Sequence, residues 1–171
     1  MLFRSLLNNG VEESKGLGLQ QETYKLLQKA HDEGRLNFIG NVEGREAILG
    51  GVDVLVTDGF TGNIFMKTYE GGLIMFANFM KTMFKSSLAS KLGFMTVKDH
   101  VASFKKVFSP DEIGGTALVG ISKPVIKAHG SSNAYAIYNA ICRAKEMAES
   151  GLIDDITANV EHMRLSVGGE D

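Results

Sequence analysis

The residues best suited to chemistry stand in three turns rich in glycine or asparagine. One of them, Lys127–Asn133, combines a lysine, a histidine and two serines just before a helical pattern. Free N–H groups at a helix start favour an anion. Lys127 would add a full charge, and His129 a donor that switches with pH. A capped helix, with Ser131 or Ser132 as the cap and His129 merely packed, explains the same residues equally well.

A second turn, Asp58–Asn63, repeats this pattern after another apolar run. Its two glycines let the backbone approach a ligand closely, and Thr61 and Asn63 offer neutral hydrogen bonds. Lys67, one helical turn further on, can point back toward this loop. A turn followed by a helix cap would account for Asp58 and Asn63 without any ligand.

The third turn, Asn8–Gly16, carries Glu12, Glu13 and Lys15 on irregular backbone. A lysine alone in a loop is usually solvated surface, so this turn by itself indicates little. The sequence has no dinucleotide fingerprint, no Walker-type phosphate loop, no serine nucleophile elbow and no histidine pair at metal-ligand spacing. No cofactor and no metal are therefore expected.

The three turns must be positioned by strands and helices, which the sequence predicts from short apolar runs and from helical periodicity. Strands are predicted over Leu2–Leu7, Leu36–Gly40, Val52–Val56 and Pro124–Ala128. Helices are predicted over Leu19–Glu33, about Asn63–Phe84, within residues 85–108, over Ser132–Glu149 and from Asp154 to about Leu165. The apolar face predicted for the helix before Glu149 comprises Ala134, Ile137, Ile141, Ala144 and Ala148. This alternation predicts an α/β fold with a mostly parallel sheet, whose ligands bind beyond the carboxyl ends of the strands.

Composition sets the broad class. With 171 residues, 44% of them apolar and 22% charged, residues 1–171 are expected to form a single α/β domain. The net charge of −2 argues against a nucleic-acid partner. The one cysteine, Cys142, suits a reducing cytosol, and no apolar stretch reaches the length of a bilayer span. A cytoplasmic protein is expected.

The turns taken together resemble one family. Four runs carry the likeness, in order and spacing: Leu6–Gly16, Phe38–Arg45, Val56–Asn63 and Val125–Ser132. They resemble the bacterial phosphate acyltransferases of the PlsX type, over nearly the whole chain. That family is similar in fold to the isocitrate and isopropylmalate dehydrogenases and to phosphotransacetylase. The resemblance therefore implies a three-layer α/β/α architecture and a homodimer.

The resemblance implies acyl transfer from acyl carrier protein to inorganic phosphate, giving an acyl phosphate for phospholipid synthesis. Lys15 would be the main cationic group for phosphate or the oxyanion, with Lys127 and His129 as further catalytic groups. Phosphate or substrate would be bound by Asn8, Asp58, Thr61, Asn63, Ser131, Ser132 and Asn133. Family members also carry an N-terminal half with a glycine-rich acidic motif, which nothing here matches. The chain is therefore expected to be the C-terminal half of the family's catalytic domain.

A basic segment, residues 81–108, interrupts the pattern. It holds six lysines against the single acid Asp99, interleaved with large apolar residues. Such a helical segment suits an anionic membrane surface or the acidic acyl carrier protein. The residues expected to make this contact are Lys85, Lys91, Lys98, Lys105 and Lys106. An ordinary amphipathic helix packing on the body or on a partner would look the same.

Two other functions remain open from the sequence. One is a phosphotransacetylase-like enzyme acting on an acyl coenzyme A, although a small soluble substrate needs no basic apolar surface. The other is an inactive half-protein that only binds the membrane or the carrier protein. The family resemblance favours the acyltransferase, working at the inner face of the cytoplasmic membrane without spanning it.

Overall fold

A computed structural model describes residues 2–163, which fall into two compact units. Residues 2–80 belong to the first unit and residues 81–163 to the second. Short strands are interspersed with helices along the chain, and the larger sheet is parallel. The predicted α/β class with a mostly parallel sheet is therefore confirmed.

The first unit is built on a three-stranded parallel sheet. Its elements are β1 (Arg4–Asn8), α1 (Gly18–Asp32), β2 (Phe38–Glu43), α2 (Gly44–Ile48), β3 (Val54–Val56) and α3 (Gly59–Lys85), whose last turns belong to the second unit. The strand order is β2-β1-β3. Asn8 pairs with Glu43 and Leu6 with Val56, so the three carboxyl ends lie along one edge.

The core of this unit follows from the central position of β1. Ser5, Leu6 and Leu7 are all buried, as expected for a strand that is covered on both faces. Helix α1 packs on the sheet: the ring of Tyr24 meets the ring of Phe38 edge-on, with centroids 5.3 Å apart. Such aromatic pairs add stability beyond the area that they bury.

Helix α3 begins four residues earlier than predicted. Expected near Asn63, it starts at Gly59 because the Asp58 carboxylate accepts hydrogen bonds from the N–H groups of the first turn. Gly62 in that turn packs against Thr57, where an added Cβ would lie 2.5 Å from the threonine Cγ2. Gly62, which the sequence predicts to lie in a loop, therefore serves close packing at a helix start, whereas Gly59 has nothing within 4 Å of a would-be Cβ.

The second unit is mainly helical. Its elements are α4 (Leu88–Val107), α5 (Pro110–Ile113), β4 (Thr116–Ala117), β5 (Ile126–Lys127), α6 (Ala134–Glu149) and α7 (Leu152–Met163). Helices α4, α6 and α7 match predicted helical segments, and α7 starts two residues early. The predicted end of that last helix, near Leu165, lies outside the described residues.

The predicted strand Pro124–Ala128 forms in part, as β5, but it does not join the parallel sheet as the expected fold implied. Within residues 2–163, β5 pairs only with β4, antiparallel, in a separate two-stranded sheet. The strands are joined by a hairpin in which the Leu118 N–H donates to the Val125 carbonyl at 2.9 Å. A hairpin pairs residues close in sequence, so a two-residue strand can form there without a crossover helix. The sequence predicts no strand at β4, which is only two residues long.

The predicted apolar face of α6 is also wrong. The buried residues are Ala136, Ala140 and Met147, whereas Ile137 and Ile141 are exposed. Gly114 explains the shift, because a Cβ on this glycine would collide with the backbone of Asn139 and Ala140. Small residues on both sides let the backbones approach, and this approach sets the buried face in place of the largest side chains.

Many large apolar side chains of α3 and α4 are exposed. On α3 they include Ile74, Met75 and Phe79, and on α4 Leu88, Leu92 and Met95. Within the described residues, none of the helices combines the length and the hydropathy that crossing a bilayer would require.

Candidate functional site

The carboxyl edge of the parallel sheet holds the loop that carries Lys15. Asn8, the last residue of β1, donates from Nδ2 to the Lys15 carbonyl at 3.1 Å, and its Oδ1 accepts from the Asn9 N–H at 2.9 Å. The Asn8 side chain thus shapes the loop directly. Its sequence-predicted role as a phosphate ligand stays a prediction.

The Lys15 ammonium is accessible and only weakly paired. Its side chain is 45% exposed, and its Nζ lies 3.9 Å from Oε2 of Glu12, whose side chain is also largely exposed. Exposed ion pairs of this kind contribute little. The stem of Lys15 lies over Gly10, where a Cβ would come within 2.8–2.9 Å of the lysine Cγ and Cε. The arrangement leaves a cation at the strand ends that an incoming anion can recruit.

Gly16 and Gln20 join this loop to the start of α1. Gly16 has φ +86°, and a Cβ there would meet Gln20 Cβ at 2.6 Å and Asn8 Oδ1 at 2.8 Å. Gln20 accepts the Leu17 N–H on Oε1 at 3.2 Å and donates from Nε2 to Asp58 Oδ2 at 3.3 Å. Gln20 therefore connects the Lys15 loop with the turn that follows β3.

Asp58 is the cap of α3 and is held ionised. Its Oδ1 accepts the N–H groups of Phe60 at 2.9 Å and Thr61 at 2.8 Å. Hydrogen bonds from Thr61, first from its side chain and then from its backbone, hold the pKa of the Asp58 carboxyl below its ordinary value of 3.8. The capping interpretation left open by the sequence thus accounts for Asp58 fully.

The remaining candidates after β3 lie on α3 itself. Thr61 and Asn63 belong to its first turns, Thr61 half-buried and Asn63 exposed. Lys67 does not turn back toward the loop as expected, because its Nζ contacts Glu70 Oε2 at 2.7 Å, one turn further along. The expectation that Lys67 serves the loop is wrong.

A small cavity of about 170 Å³ opens where these elements meet. Leu6, Leu7, Leu19 and Val56 form its apolar wall. Its polar lining is Gln20, Thr23, Thr57 and Asp58. A larger, open cleft of about 430 Å³ runs along α1 between charged side chains, and no predicted site residue lines it.

In the second unit, the turn after β5 is closed by its own side chains. His129 Nδ1 lies 2.8 Å from Ser131 Oγ and 3.2 Å from the Ser131 N–H, which can only donate. Nδ1 therefore accepts, and the neutral ring carries its proton on Nε2. Lys127 and His129 are exposed, and the Ser132 N–H donates to the His129 carbonyl at 3.0 Å.

Asn133, and neither of the serines, caps α6. Its Oδ1 accepts the Ala136 N–H at 2.9 Å, and its Nδ2 donates to Asp111 Oδ2 at 2.7 Å. Glu112, also on α5, accepts from the Tyr135 hydroxyl at 2.9 Å. These two acids complement the positive end of the α6 dipole, so this helix start is less receptive to an added anion than the sequence implied.

The basic segment presents lysines along one side of α4. Lys91 and Lys98 are spaced by seven residues, which places them on one helix face. Lys105 belongs to the same helix. Lys85, at the end of α3, is exposed, as are Lys91 and Lys98. Lys106 Nζ lies 4.0 Å from Glu112 Oε1.

Sequence reasoning missed the residues that shape the Lys15 loop. Asn41, within β2, donates from Nδ2 to the Glu12 carbonyl at 2.8 Å, and Gln21 donates to the Ser14 carbonyl at 2.8 Å. An asparagine inside a strand, where its type is disfavoured, was the available signal for Asn41. The described residues contain no cluster of three histidine, cysteine or acidic side chains that could hold a metal.

Comparison with known proteins identifies the family. The sequence profile described as "Fatty acid synthesis protein" matches residues 4–155. The phosphate acyltransferase of Exiguobacterium sibiricum is 45% identical over 152 residues, 89% of this chain and 45% of the relative. That of Oceanobacillus iheyensis is 46% identical over 156 residues, 91% of this chain and 46% of the relative. That of Streptococcus pneumoniae is 46% identical over 149 residues, which is 86% of this chain and 44% of the relative.

The chain spans about half the length of these curated relatives. The match runs through β1, the Lys15 loop, β2, β3, the turn after β5 and α6, and it ends in the first turn of α7. The four runs that carry the sequence resemblance all lie within the matched residues 4–155. The chain belongs to the fatty acid synthesis protein family, the family of the PlsX-type phosphate acyltransferases.

Proposed function

We propose that this chain serves the transfer of an acyl group from acyl carrier protein to inorganic phosphate, giving an acyl phosphate for phospholipid synthesis. The observation that carries the proposal is the accessible, weakly paired Lys15 ammonium on a loop fixed at the carboxyl ends of parallel strands. Ligands of such sheets bind at this edge. The relatives' name, phosphate acyltransferase, supports the reaction class.

The reaction requires little from the protein beyond positioning and charge. A phosphate oxygen attacks the thioester carbonyl carbon, the new C–O bond forms, and the C–S bond breaks. The carrier's thiol leaves with the proton that phosphate gives up. No covalent enzyme intermediate is needed, so the rate gain comes from holding phosphate close and stabilising the developing oxyanion.

Each candidate residue has a role in this proposal. Lys15 binds phosphate or the oxyanion, and Asn8, Asp58, Thr61 and Asn63 shape its surroundings. Lys127 and the Nε2–H of His129 serve as donors to substrate oxygen atoms, and Ser131, Ser132 and Asn133 order the turn that presents them. Asp58 and Asn133 each cap a helix through hydrogen bonds to backbone N–H groups. These bonds favour a role in shaping the turns over direct contact with the substrate.

The surface of the second unit suggests where the reaction takes place. We assign Lys85, Lys91, Lys98, Lys105 and Lys106 to contact with an anionic membrane surface or with acyl carrier protein. Exposed lysines beside exposed apolar side chains on α4 support this assignment. The proposal includes a cytoplasmic protein, peripheral to the membrane and homodimeric, with the three-layer architecture of the isocitrate and isopropylmalate dehydrogenases.

Trapping the product tests the proposal directly. The chain is mixed with long-chain acyl carrier protein and phosphate, and hydroxylamine converts any acyl phosphate into a hydroxamate that can be counted. We expect phosphate-dependent hydroxamate that falls at least tenfold in Lys15→Ala, as for the loss of an oxyanion donor. Lys25→Ala, an exposed lysine on α1, is the matched control and should retain activity.

Two outcomes would overturn the proposal. If Lys15→Ala and Lys25→Ala are equally active, Lys15 is not the residue that binds phosphate or the oxyanion. If the chain forms no hydroxamate but still binds the carrier protein or anionic vesicles, it is a binding module and not an enzyme. A parallel reaction with acyl coenzyme A in place of acyl carrier protein tests the phosphotransacetylase-like alternative. That alternative predicts faster hydroxamate formation with acyl coenzyme A.

A further inference from the structure

Side-chain amides hold the loop that carries Lys15. Gln21 on α1 donates from Nε2 to the Ser14 carbonyl at 2.8 Å and to the Gly16 carbonyl at 3.2 Å. Asn41 on β2 reaches the Glu12 carbonyl at 2.8 Å. With Asn8 on the Lys15 carbonyl, three elements beneath the loop each contribute one amide. Four of the loop's carbonyl oxygens are thereby tied to the body of the unit.

This arrangement fixes which backbone groups the loop presents. In a trans peptide the N–H points opposite to the carbonyl of the same peptide unit. Pinning the carbonyls of Glu12 and Lys15 therefore turns the N–H groups of Glu13 and Gly16 the other way. Within residues 2–163, neither of these N–H groups has a hydrogen-bond acceptor. We expect these N–H groups, which point away from the pinned carbonyl oxygens, to serve as donors to an anion bound by Lys15.

Asn41 is an unusual residue for its position. It lies in the middle of β2, is only 7% exposed, and stands beside the apolar Val42 in a strand paired with β1. Its Oδ1 is buried without a hydrogen-bond partner among the described residues. Burying a polar atom without a hydrogen-bond partner is unfavourable, so asparagine at this position has a cost in stability. The bond that it does make, to the Lys15 loop, spans 29 residues of sequence.

We propose that Asn41 and Gln21 are positioning residues that hold the loop of residues 9–17 so that Lys15 and the outward N–H groups face the anion. The inference rests on the proposed function for the role of Lys15. It adds that neither residue touches the substrate: both act through carbonyl oxygens of the loop. Their loss should lower the rate of the chemical step while leaving acyl carrier binding intact.

Asn41→Leu is the sharpest variant, because leucine has a similar shape and removes both the donor and the unpaired acceptor. Replacing a polar group with an apolar one of the same shape can leave stability nearly unchanged. We expect kcat for acyl phosphate formation to fall about 10- to 100-fold, the effect of a loop displaced by about 1 Å, with KM for acyl carrier protein unchanged. Val42→Ala, a buried truncation in the same strand, should be less stable yet lose less than about threefold in kcat.

Gln21→Met is the second variant, since it keeps helix α1 intact and removes both donors of Gln21 without adding charge. Gln28→Met, two turns along the same helix, is its control, because Gln28 donates to Asp32 and, among residues 2–163, makes no hydrogen bond to the loop. Equal kcat in Gln21→Met and Gln28→Met, or a fall in kcat for Val42→Ala as large as for Asn41→Leu, overturns the inference.

Amide hydrogen exchange separates this inference from the proposed function. The amides that can report on the loop are those of Lys15, bonded to the Glu12 carbonyl, and Leu17, bonded to Gln20. We expect these two amides to exchange at least about tenfold faster in Asn41→Leu and Gln21→Met than in the two controls. If the unaltered chain makes no acyl phosphate, the proposed function fails, and the exchange of this loop still decides whether the two amides hold it. Unchanged exchange in both variants overturns the inference whatever the activity.

Discussion

At the residue scale, the loop between β1 and α1 depends on close contacts more than on charge. Gly10 makes room for the Lys15 stem, and Gly16 makes room for Asn8 and Gln20. The ion pair from Lys15 to Glu12, at 3.9 Å between exposed groups, is too weak to fix the loop. Space left by absent side chains, together with amide hydrogen bonds, therefore defines where the cation lies.

Gly16→Ala tests this reliance on space. The substitution places a Cβ at a left-handed residue, φ +86°, and within 2.6 Å of Gln20 Cβ. We expect the free energy of unfolding in urea to fall by about 2–4 kcal/mol, from backbone strain together with overpacking. Gly34→Ala is the control, since Gly34 has φ +70° but nothing within 4 Å, and should lose only about 1–2 kcal/mol. Equal losses would show that overpacking is unimportant at Gly16.

Asp58→Asn tests the electrostatic part of the cap at α3. Because Thr61 lowers the pKa of Asp58 in the folded chain, the carboxylate stabilises the fold above about pH 4, and this contribution disappears as pH falls through the lowered pKa. Asparagine still caps a helix, so the comparison isolates the charge. We expect urea unfolding to show a less stable variant at pH 7 and a smaller difference near pH 2.5. A difference that does not change with pH would contradict this account.

At the element scale, the sequence predicted the order of the main strands and helices but not which strands pair. Apolar runs and turn signals were sufficient for β1, β2, β3, α1, α6 and α7. The hairpin of β4 and β5 depends on hydrogen bonds between Leu118 and Val125, which no periodicity of single residues encodes. The buried face of α6 likewise depends on the backbone at Gly114. Both failures concern contacts between segments.

The candidate site divides in the same way. The types and spacing of Lys15, His129 and Asn133 marked the turns in which they lie, since each turn ends a short apolar run. The sequence could not distinguish a cap from a ligand, because Asn133 and Asp58 suit both roles. Nor could it select Asn41 or Gln21, whose bonds to the loop need the strands and α1 already assembled.

Gly62→Ala tests how the start of α3 sits against the end of β3. Alanine favours a helix by about 1 kcal/mol over glycine, but here its Cβ would lie 2.5 Å from Thr57 Cγ2. We expect a net loss of about 1–2 kcal/mol in unfolding free energy. Adding Thr57→Ser removes that methyl group and should recover most of the loss.

Gly71→Ala in the same helix is the control for this pair. Nothing lies within 4 Å of a Cβ at Gly71, so alanine there should stabilise the chain by about 0.5–1 kcal/mol. If Gly62→Ala stabilises the chain as Gly71→Ala does, or if Thr57→Ser fails to rescue it, the proposed contact between the turn and the helix is wrong.

At the scale of the whole molecule, charge is distributed unevenly although the total is small. The chain has a formal net charge of −2, yet residues 81–108 hold six lysines and one acid. The exposed apolar side chains Leu88, Leu92 and Met95 follow one line of α4, at spacings of four and three. The proposed membrane or carrier contact therefore depends on the local charge of this helix surface, since the net charge of the chain would not attract an anionic surface.

Charge reversal on α4 tests the membrane contact. Lys91→Glu with Lys98→Glu should reduce flotation with vesicles containing anionic lipid at least tenfold, because each lysine near such a surface contributes about 1 kcal/mol. Lys123→Glu with Lys145→Glu changes the net charge equally at exposed positions outside residues 81–108 and should bind as the unaltered chain does. Equal loss in both pairs would indicate a general charge effect. Loss in neither pair, with carrier binding reduced by the α4 changes, would assign this surface to the carrier protein instead.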